Sequence, residues 1–496
     1  MKRTLLIFAL AAVVCLPAIA QQSATIRGSV NDPSGAPAAD VQVTVLNVGM
    51  GFSRETATNS SGAYAAANLP VGTYLVTFEA AGFRTVLVQN VVLNVNDTRE
   101  VNAQLEELTE VTGEAITVTS SAVVVETIGG EVAGLITGEE VRELPLNGRN
   151  FLQLTLLMPG VSAPEGFNTK NKGLLTGSDL SVSGGSTTAN MWTVDGASNN
   201  DVGSNRTILV YPSVEAIEEF KIHRNSYGAE FGGGGGAQIN LVTRGGTNNL
   251  DGSVYYFARR DSYNSTNALL KEANQPKAPL TRDDYGFTFG GPVKKDKFHF
   301  FASAEWNDEI RGVAVSGQVP TAAQRAGDFN DVDTSCGYQI PVDPLTGQPF
   351  PNNTIPGDRM SQSGINLLRL YPNANNPGSC TNWVTSVSTP IDWEQINGRL
   401  DYTVNDQHRV LLRYTADDWS NPGPTGGAAN GLWGDDPFPS VDSNWAQPSD
   451  SLVAQLNSVI GNSAINSLTF SQSGNEIDIG ASDQDATLRE DLRNTL

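Results

Sequence analysis

Side chains able to bind a metal or act as nucleophiles are few in this chain. Its 496 residues include only three His and three Cys, too few for a multi-ligand Cys/His metal site. None of His223, His299 or His408 begins an H-x-x-E pair, and no H-E-x-x-H occurs, so zinc-hydrolase chemistry lacks its ligands. There is no G-x-S-x-G nucleophile elbow and no Walker A loop. Gly232 to Gly236 superficially suggests a dinucleotide loop, but an alternating strand follows it where a helix should open. Asp343 precedes Pro344, and a plain Asp-Pro turn accounts for it better than cation ligation. The sequence therefore predicts no enzyme, no cofactor and no metal. One short segment carries mechanism of another kind. Glu114, Ala115, Ile116, Thr117, Val118 and Thr119 are β-prone and flanked by polar residues. Such a segment can pair as an added strand through main-chain hydrogen bonds, with little demand on sequence. Val123 to Glu126 has similar character, and an ordinary inter-domain strand is the other reading.

Composition bounds what surrounds these residues. The length allows two to four domains. The 50 Gly, 25 Pro and 17% charged residues argue against a helical bundle or coiled coil. A mean hydropathy of -0.22 excludes a polytopic helical membrane protein. The net charge of -22 repels phosphate backbones and excludes nucleic-acid partners. The N-terminus reads as a secretory signal: Lys2 and Arg3, an apolar run from Thr4 to Leu16, then Ala18-Ile19-Ala20 with cleavage between Ala20 and Gln21. Export leaves Cys336 and Cys380 as the only mature cysteines, in a compartment where disulfides persist.

Residues 21–108 alternate with strand period between regular turns. Val41, Val43 and Val45 alternate with polar residues, and Tyr74 to Phe78 follows the turn Leu69 to Gly72. About seven short strands predict a small β-sandwich. Gly28, Val30, Asp32, Gly35, Gly62, Tyr64, Leu69, Gly72, Tyr74, Gly82 and Phe83 resemble the carboxypeptidase regulatory-like domain, a transthyretin-like sandwich. The resemblance implies a non-catalytic domain grouped with carbohydrate-binding-like folds, serving as a spacer or a sugar site.

Residues 109–247 mix short strands, short helices and Gly-rich turns. Helical spacing is expected at Glu139 to Leu144, Asn150 to Met158 and Val214 to Phe220. The phrases Leu144 to Asn150, Val194-Asp195-Gly196, Ala229 to Gly232 and Ile239 to Thr243 resemble the plug domain of TonB-dependent outer-membrane receptors, in the Oar-like branch. The resemblance implies that Glu114–Thr119 is a TonB box, exposed and weakly ordered between two folded domains. It also implies that Gly232 to Gly236 packs where the plug meets the barrel wall.

Residues 248–496 carry longer alternating strands. Ile396, Gly398, Leu400, Tyr402 and Val404 share one face, with Asn397, Arg399, Asp401 and Thr403 opposite. Arg409 to Asp417 repeats the pattern. In Phe298 to Trp306, Phe301 is the exception on an otherwise polar face. Apolar-out, polar-in strands are what a transmembrane β-barrel needs. Residues 311–390 lose the pattern and read as a long extracellular loop, within which Cys336 and Cys380 are expected to pair. Trp383, Trp393, Trp419, Trp433 and Trp445 read as interfacial girdle or loop-packing residues rather than sugar platforms. The strands after residue 248 are too few for the large barrel of this family, so the barrel is expected to be incomplete in this chain.

The expected fold is thus mainly β: a β-sandwich, a small α+β plug and antiparallel barrel strands. The expected function is TonB-dependent import of a ligand across a Gram-negative outer membrane, with the N-terminal domain periplasmic. The ligand is an oligosaccharide, peptide or siderophore. Expected partners are TonB, outer-membrane lipid and the barrel-assembly machinery. The alternatives are an adhesin or signalling receptor on the same scaffold, and a secreted carbohydrate-binding β protein.

Overall fold

A computed structural model of the protein describes residues 23–108, 115–119, 130–164, 172–173, 177–203, 207–228, 231–378, 380–422, 443–460, 464–481 and 486–495. Ala20, Gln21, Glu114, Val123 to Glu126 and Trp433 lie outside the described residues.

The first unit is a sandwich of β1 (Ala24–Asn31), β2 (Gln42–Asn47), β3 (Ser53–Ala57), β4 (Ala63–Leu69), β5 (Gly72–Glu79), β6 (Thr85–Leu93), β7 (Thr98–Glu100) and β8 (Ala103–Gln104). One sheet has the order β4-β1-β7, with β8 also pairing β1. The other runs β3-β2-β5-β6 and continues into β9 (Ala115–Thr119). Every second residue of β2 and β5 points inward, so Val43, Val45, Tyr74, Val76 and Phe78 are fully buried. Each such side chain contributes roughly 1.5–3 kcal/mol on burial. The Asp32 carboxylate accepts from the N–H groups of Ser34 and Ala36, closing the β1 turn.

The middle unit contains β10 (Val132–Thr137), β11 (Val161–Ser162), β12 (Ser181–Val182), β13 (Met191–Val194), β14 (Ala197–Ser198), β15 (Ile217–Asn225) and β16 (Gln238–Thr243). Its main sheet has the order β10-β15-β16-β13-β14, with β13 and β16 parallel. The helix Gly138–Glu143 starts at a capping box formed by Thr137 and Glu140. Phe151–Leu157 is helical as expected, with 3₁₀ geometry between the caps Asn150 and Met158. One expectation is corrected here. Val214–Ala216 is a single 3₁₀ turn, and Ile217 onward is strand. Strand β15 is covered on both faces, so its burial has no period of two and its sequence imitates a helix.

The third unit is one antiparallel sheet of β17 (Asp251–Arg260), β18 (Leu280–Lys294), β19 (Phe298–Gly317), β20 (Trp383–Asn405), β21 (His408–Pro422), β22 (Ser443–Ile460) and β23 (Ala464–Asn475) in sequential order. The short β24 (Asp478–Ala481) extends the pairing of β22. Among the described residues β17 and β23 do not pair, and the sheet is open. Strands β18 to β22 have 15 to 23 residues. A tilted strand crosses hydrocarbon in about 9–11 residues, so these strands project well past a bilayer.

The outward face is apolar: Phe287, Ile396, Leu400, Leu412, Tyr414 and Phe470 are exposed there. Register places Tyr256, Tyr285 and Trp306 side by side on that face, with Tyr285 and Trp306 stacked at 5.8 Å. Such an outward aromatic row suits a membrane interface. The described tryptophans read from sequence as girdle or loop-packing residues do not join this row. Trp393, Trp419 and Trp445 point inward and join the core of the middle unit. Trp383 is buried at the start of β20.

The long loop is shorter and better ordered than its composition implied, because β19 runs to Gly317 and β20 begins at Trp383. The Arg325 guanidinium donates to the carbonyls of Leu368, Tyr371 and Pro372. Asp343 accepts from Leu345 N–H and from Arg359 at 2.8 Å, consistent with a turn. Cys336 and Cys380 are joined by a disulfide, with Cα atoms 5.4 Å apart.

Candidate functional site

The middle unit packs on the polar face of the strand sheet. Period-two alternation puts Glu305, Gln395, Arg399, Arg413, Asp417 and Gln455 on one side of their strands, where the middle unit buries them. Burying so many charges is tolerable only if each is paired. Asp195 is the centre of one cluster. It sits in the turn between β13 and β14, with a left-handed φ of +47 followed by Gly196 at +78. Its carboxylate accepts from Thr243 N–H at 3.0 Å and from Thr243 Oγ1 at 2.7 Å. Across the interface it meets Arg399 at 3.5 Å and Arg413 at 3.1 Å. The Arg413 Nε contact is ionic, without the alignment of a hydrogen bond. Gln455 donates to the Asp195 carbonyl at 2.7 Å. Arg399 is itself held by Asp401 through two bonds of 2.8 and 3.1 Å.

Glu305 is the centre of a second cluster. It is fully buried and accepts from Lys172, Ser213 and Tyr255. Lys172 also lies 3.6 Å from the Trp393 ring centroid, and a Cβ on the adjacent Gly173 would stand 2.2 Å from Trp419 Cγ. Arg149 bridges to Glu215 at 2.9 Å and stacks 4.2 Å from the Phe257 ring centroid. Between the clusters, Tyr211 N–H donates to Asp417 and Ser213 N–H to Gln395, each at 2.7 Å. Phe301, the apolar exception in its strand, is buried beneath the Arg244 guanidinium at 5.2 Å.

The sandwich grips both other units. Its turn at Asn94 to Asp97 meets β15: Val95 N–H donates to Glu219, and Lys221 pairs with Asp97 at 3.0 Å. His223, buried beside it, contacts Glu131 at 2.9 Å and Asn96 at 3.5 Å. Lys221 also reaches Glu131, at 3.2 Å. Burial, opposed by the Val95 N–H, pushes the Glu219 carboxyl up to about 8. The bond from His223 pulls Glu131 down to about 2. At the short-turn end of the sheet, Arg54 donates to the Asp406 carbonyl, and Asn248 N–H donates to Gly49 O at 2.8 Å.

Of the six residues of the pairing segment, Ala115 to Thr119 form β9, parallel to β6 from Thr85↔Ala115 to Gln89↔Thr119. The expected free tether is thus corrected: the segment completes the sandwich sheet, because β6 leaves an edge open beside it. Thr117 and Val118 are exposed. The glycine run is also corrected. Cβ atoms at Gly234 and Gly236 would strike Ala189 and Asn190 inside the middle unit, not the strand sheet. Sequence reasoning singled out Val194-Asp195-Gly196 and the inward arginines, but not their pairing, which joins residues 204 apart. Among the described residues, no group of three or more His, Cys, Asp or Glu is arranged to hold a metal. The arrangement holds a packed unit on the polar strand face through buried ion pairs.

An open antiparallel sheet with a lipid-compatible outer face and an occupied polar inner face defines an outer-membrane strand protein. Residues 242–493 match the outer membrane beta barrel domain, and residues 25–106 match the carboxypeptidase regulatory-like domain. The chain belongs to the outer membrane beta barrel family. The TonB-dependent transporter Oar of Myxococcus xanthus is 30% identical over 297 residues, covering 57% of this chain and 26% of that protein. The chain thus spans about a quarter of the length of the curated relative it matches. Among solved structures, the outer membrane transporter YddB from Escherichia coli aligns over 66% of this chain and 37% of its own, at 12% identity and TM-score 0.40. The siderophore receptor PirA from Acinetobacter baumannii aligns over 70% and 44%, at 16% identity and TM-score 0.37.

Proposed function

We propose that this protein is a TonB-dependent outer-membrane transporter whose middle unit is the plug. The observation that carries the reading is the docking of the middle unit on the polar strand face through Asp195, Arg399 and Arg413. A lumen filled by a domain held with ion pairs can be opened by a pull that separates them. The sandwich lies at the short-turn end, which is periplasmic in barrels of this kind. The long disulfide-bonded loop then faces outward and meets the ligand, and β9 supplies the TonB box. Exported by its N-terminal signal, the chain is inserted by the barrel-assembly machinery and pulled by TonB, and the ligand enters the periplasm.

The test has two parts. The protein should fractionate with outer membranes and show heat-dependent gel mobility. Its full chain in detergent should bind the purified periplasmic domain of TonB, and Val118→Pro should abolish that binding by removing a backbone donor and bending the strand. Binding unaffected by the proline would place the box elsewhere, and a soluble protein without heat-dependent mobility would defeat the transporter reading.

A further inference from the structure

The pairing segment is not a free peptide. Its five residues are registered one to one with Thr85 to Gln89 of β6, as the outermost strand of the sheet β3-β2-β5-β6-β9. Among the described residues nothing pairs with its second edge, which leaves alternate N–H and C=O groups of β9 available to another strand. The side chains have the matching asymmetry. Val118 registers with buried Val88 and so lies on the core face of the sheet, yet it is 47% exposed. A core-face valine half in water lacks the cross-strand neighbour that would cover it. Thr117, on the opposite face, is exposed beside half-buried Leu87.

We infer that TonB docks as a sixth strand on the outer edge of β9 while β9 stays seated on β6, so that the sandwich is part of the coupling complex. The inference rests on the proposed TonB dependence and adds how the partner is received. Adding a strand to the open edge makes new backbone bonds and breaks none, whereas peeling β9 away first sacrifices all five registered pairs. The strand that fits is extended, with an apolar residue against Val118 and a polar or β-branched residue against Thr117.

Seating also fixes the route of a pull. A load on β9 enters the sandwich, whose Asn94–Asp97 turn holds β15 through Glu219 and Lys221. The middle unit is then drawn by a docked domain as well as by the chain that follows β9.

The experiment staples β9 in place. Leu87→Cys with Thr117→Cys, a registered pair on the solvent face, is crosslinked in the full chain with a short thiol-reactive reagent. Binding to the periplasmic domain of TonB is measured before and after, with each single variant as a folding control. Seated docking predicts affinity within about twofold of the uncrosslinked protein, whereas a need to release β9 predicts a loss of tenfold or more, which overturns the inference. A second measurement needs no variant. Hydrogen exchange of Thr85 to Gln89 in the wild-type protein should stay protected when TonB binds, and faster exchange there overturns seating. Failure of the wild-type chain to bind TonB at all overturns the TonB reading beneath it, and is distinguished because it appears before any crosslink.

Discussion

Replacing Asp195 by Asn tests whether ion pairing holds the middle unit. Asn keeps the shape and tolerates the left-handed φ of +47 at this position, so the backbone turn survives. The charge is lost and one acceptor oxygen becomes an NH2 donor, so the amide oxygen keeps the Thr243 N–H while the Thr243 hydroxyl must turn to accept. Arg399 retains its two bonds to Asp401. Arg413 keeps hydroxyl partners at Thr415 and Ser451 but no carboxylate, and it is fully buried. Stranding one buried charge costs about 3–5 kcal/mol; the surviving partners of both arginines put the expectation at the low end. A loss of about 3 kcal/mol raises the open population roughly a hundredfold. Hydrogen exchange of the amides in β13 and β16 reads it, since β13 leads into the turn and Thr243 of β16 binds the Asp195 carboxylate. Exchange accelerates about a hundredfold in Asp195→Asn if the reasoning holds. Pairing Asp195→Ala with Arg413→Ala should give less than the sum of the single losses, by about 1–3 kcal/mol. Exchange within threefold of wild type in Asp195→Asn would mean that the docking is carried by packing, and the reasoning fails.

Three further outcomes follow from the geometry. Glu219 titrates near 8 when docked against 4.5 when free, so the docked form holds the extra proton between those values. Docking of the sandwich on β15 is therefore full below about 4.5 and weakens as pH rises towards 8; exchange of the Asn94–Asp97 turn at pH 5 and pH 8 measures it, and Glu219→Gln flattens the dependence. Glu131, at about 2, acts in the opposite sense and only below the free value of 4.5. Reducing Cys336–Cys380, which closes a separation of 44 residues, should destabilise the loop by about 4 kcal/mol on the chain-entropy scale, seen as faster proteolysis of the loop. Gly173→Ala drives a Cβ into the Trp419 ring at a backbone angle of +76; it should displace the Lys172 contact and change Trp fluorescence.

The strands of the third unit were legible because each has one apolar and one polar face, as in Ile396 to Val404 and Arg409 to Asp417. The sandwich was legible for the same reason, with its turns marked by Asp32-Pro33 and Asn59 to Gly62. The failures share a physical cause. Strand β15 is buried on both faces by the sandwich and the rest of the middle unit, so Val214 to Phe220 carried no period of two. The inward tryptophans were misread because lipid interface and domain interface both suit a large amphipathic ring. Strand β9 was read as a tether because its stabilising partner, β6, offers backbone groups that leave no mark on side-chain pattern. The clusters around Asp195 and Glu305 join residues far apart in the chain. The sequence showed that charges face inward but not which would meet.

The disulfide in the long loop changes the order in which the sheet can form. Gly317 and Trp383 are the registered ends of β19 and β20, and without the bridge the whole excursion separates them. With it, the covalent path runs from Gly317 to Cys336, across the sulfurs, and from Cys380 to Trp383, roughly a third of the residues, and closure entropy falls accordingly. Pairing between distant strands is the slow event in β topologies. An oxidised chain therefore zips its longest hairpin from a shorter closure than a reduced one. Oxidation of this one pair sets how fast β19 can find β20.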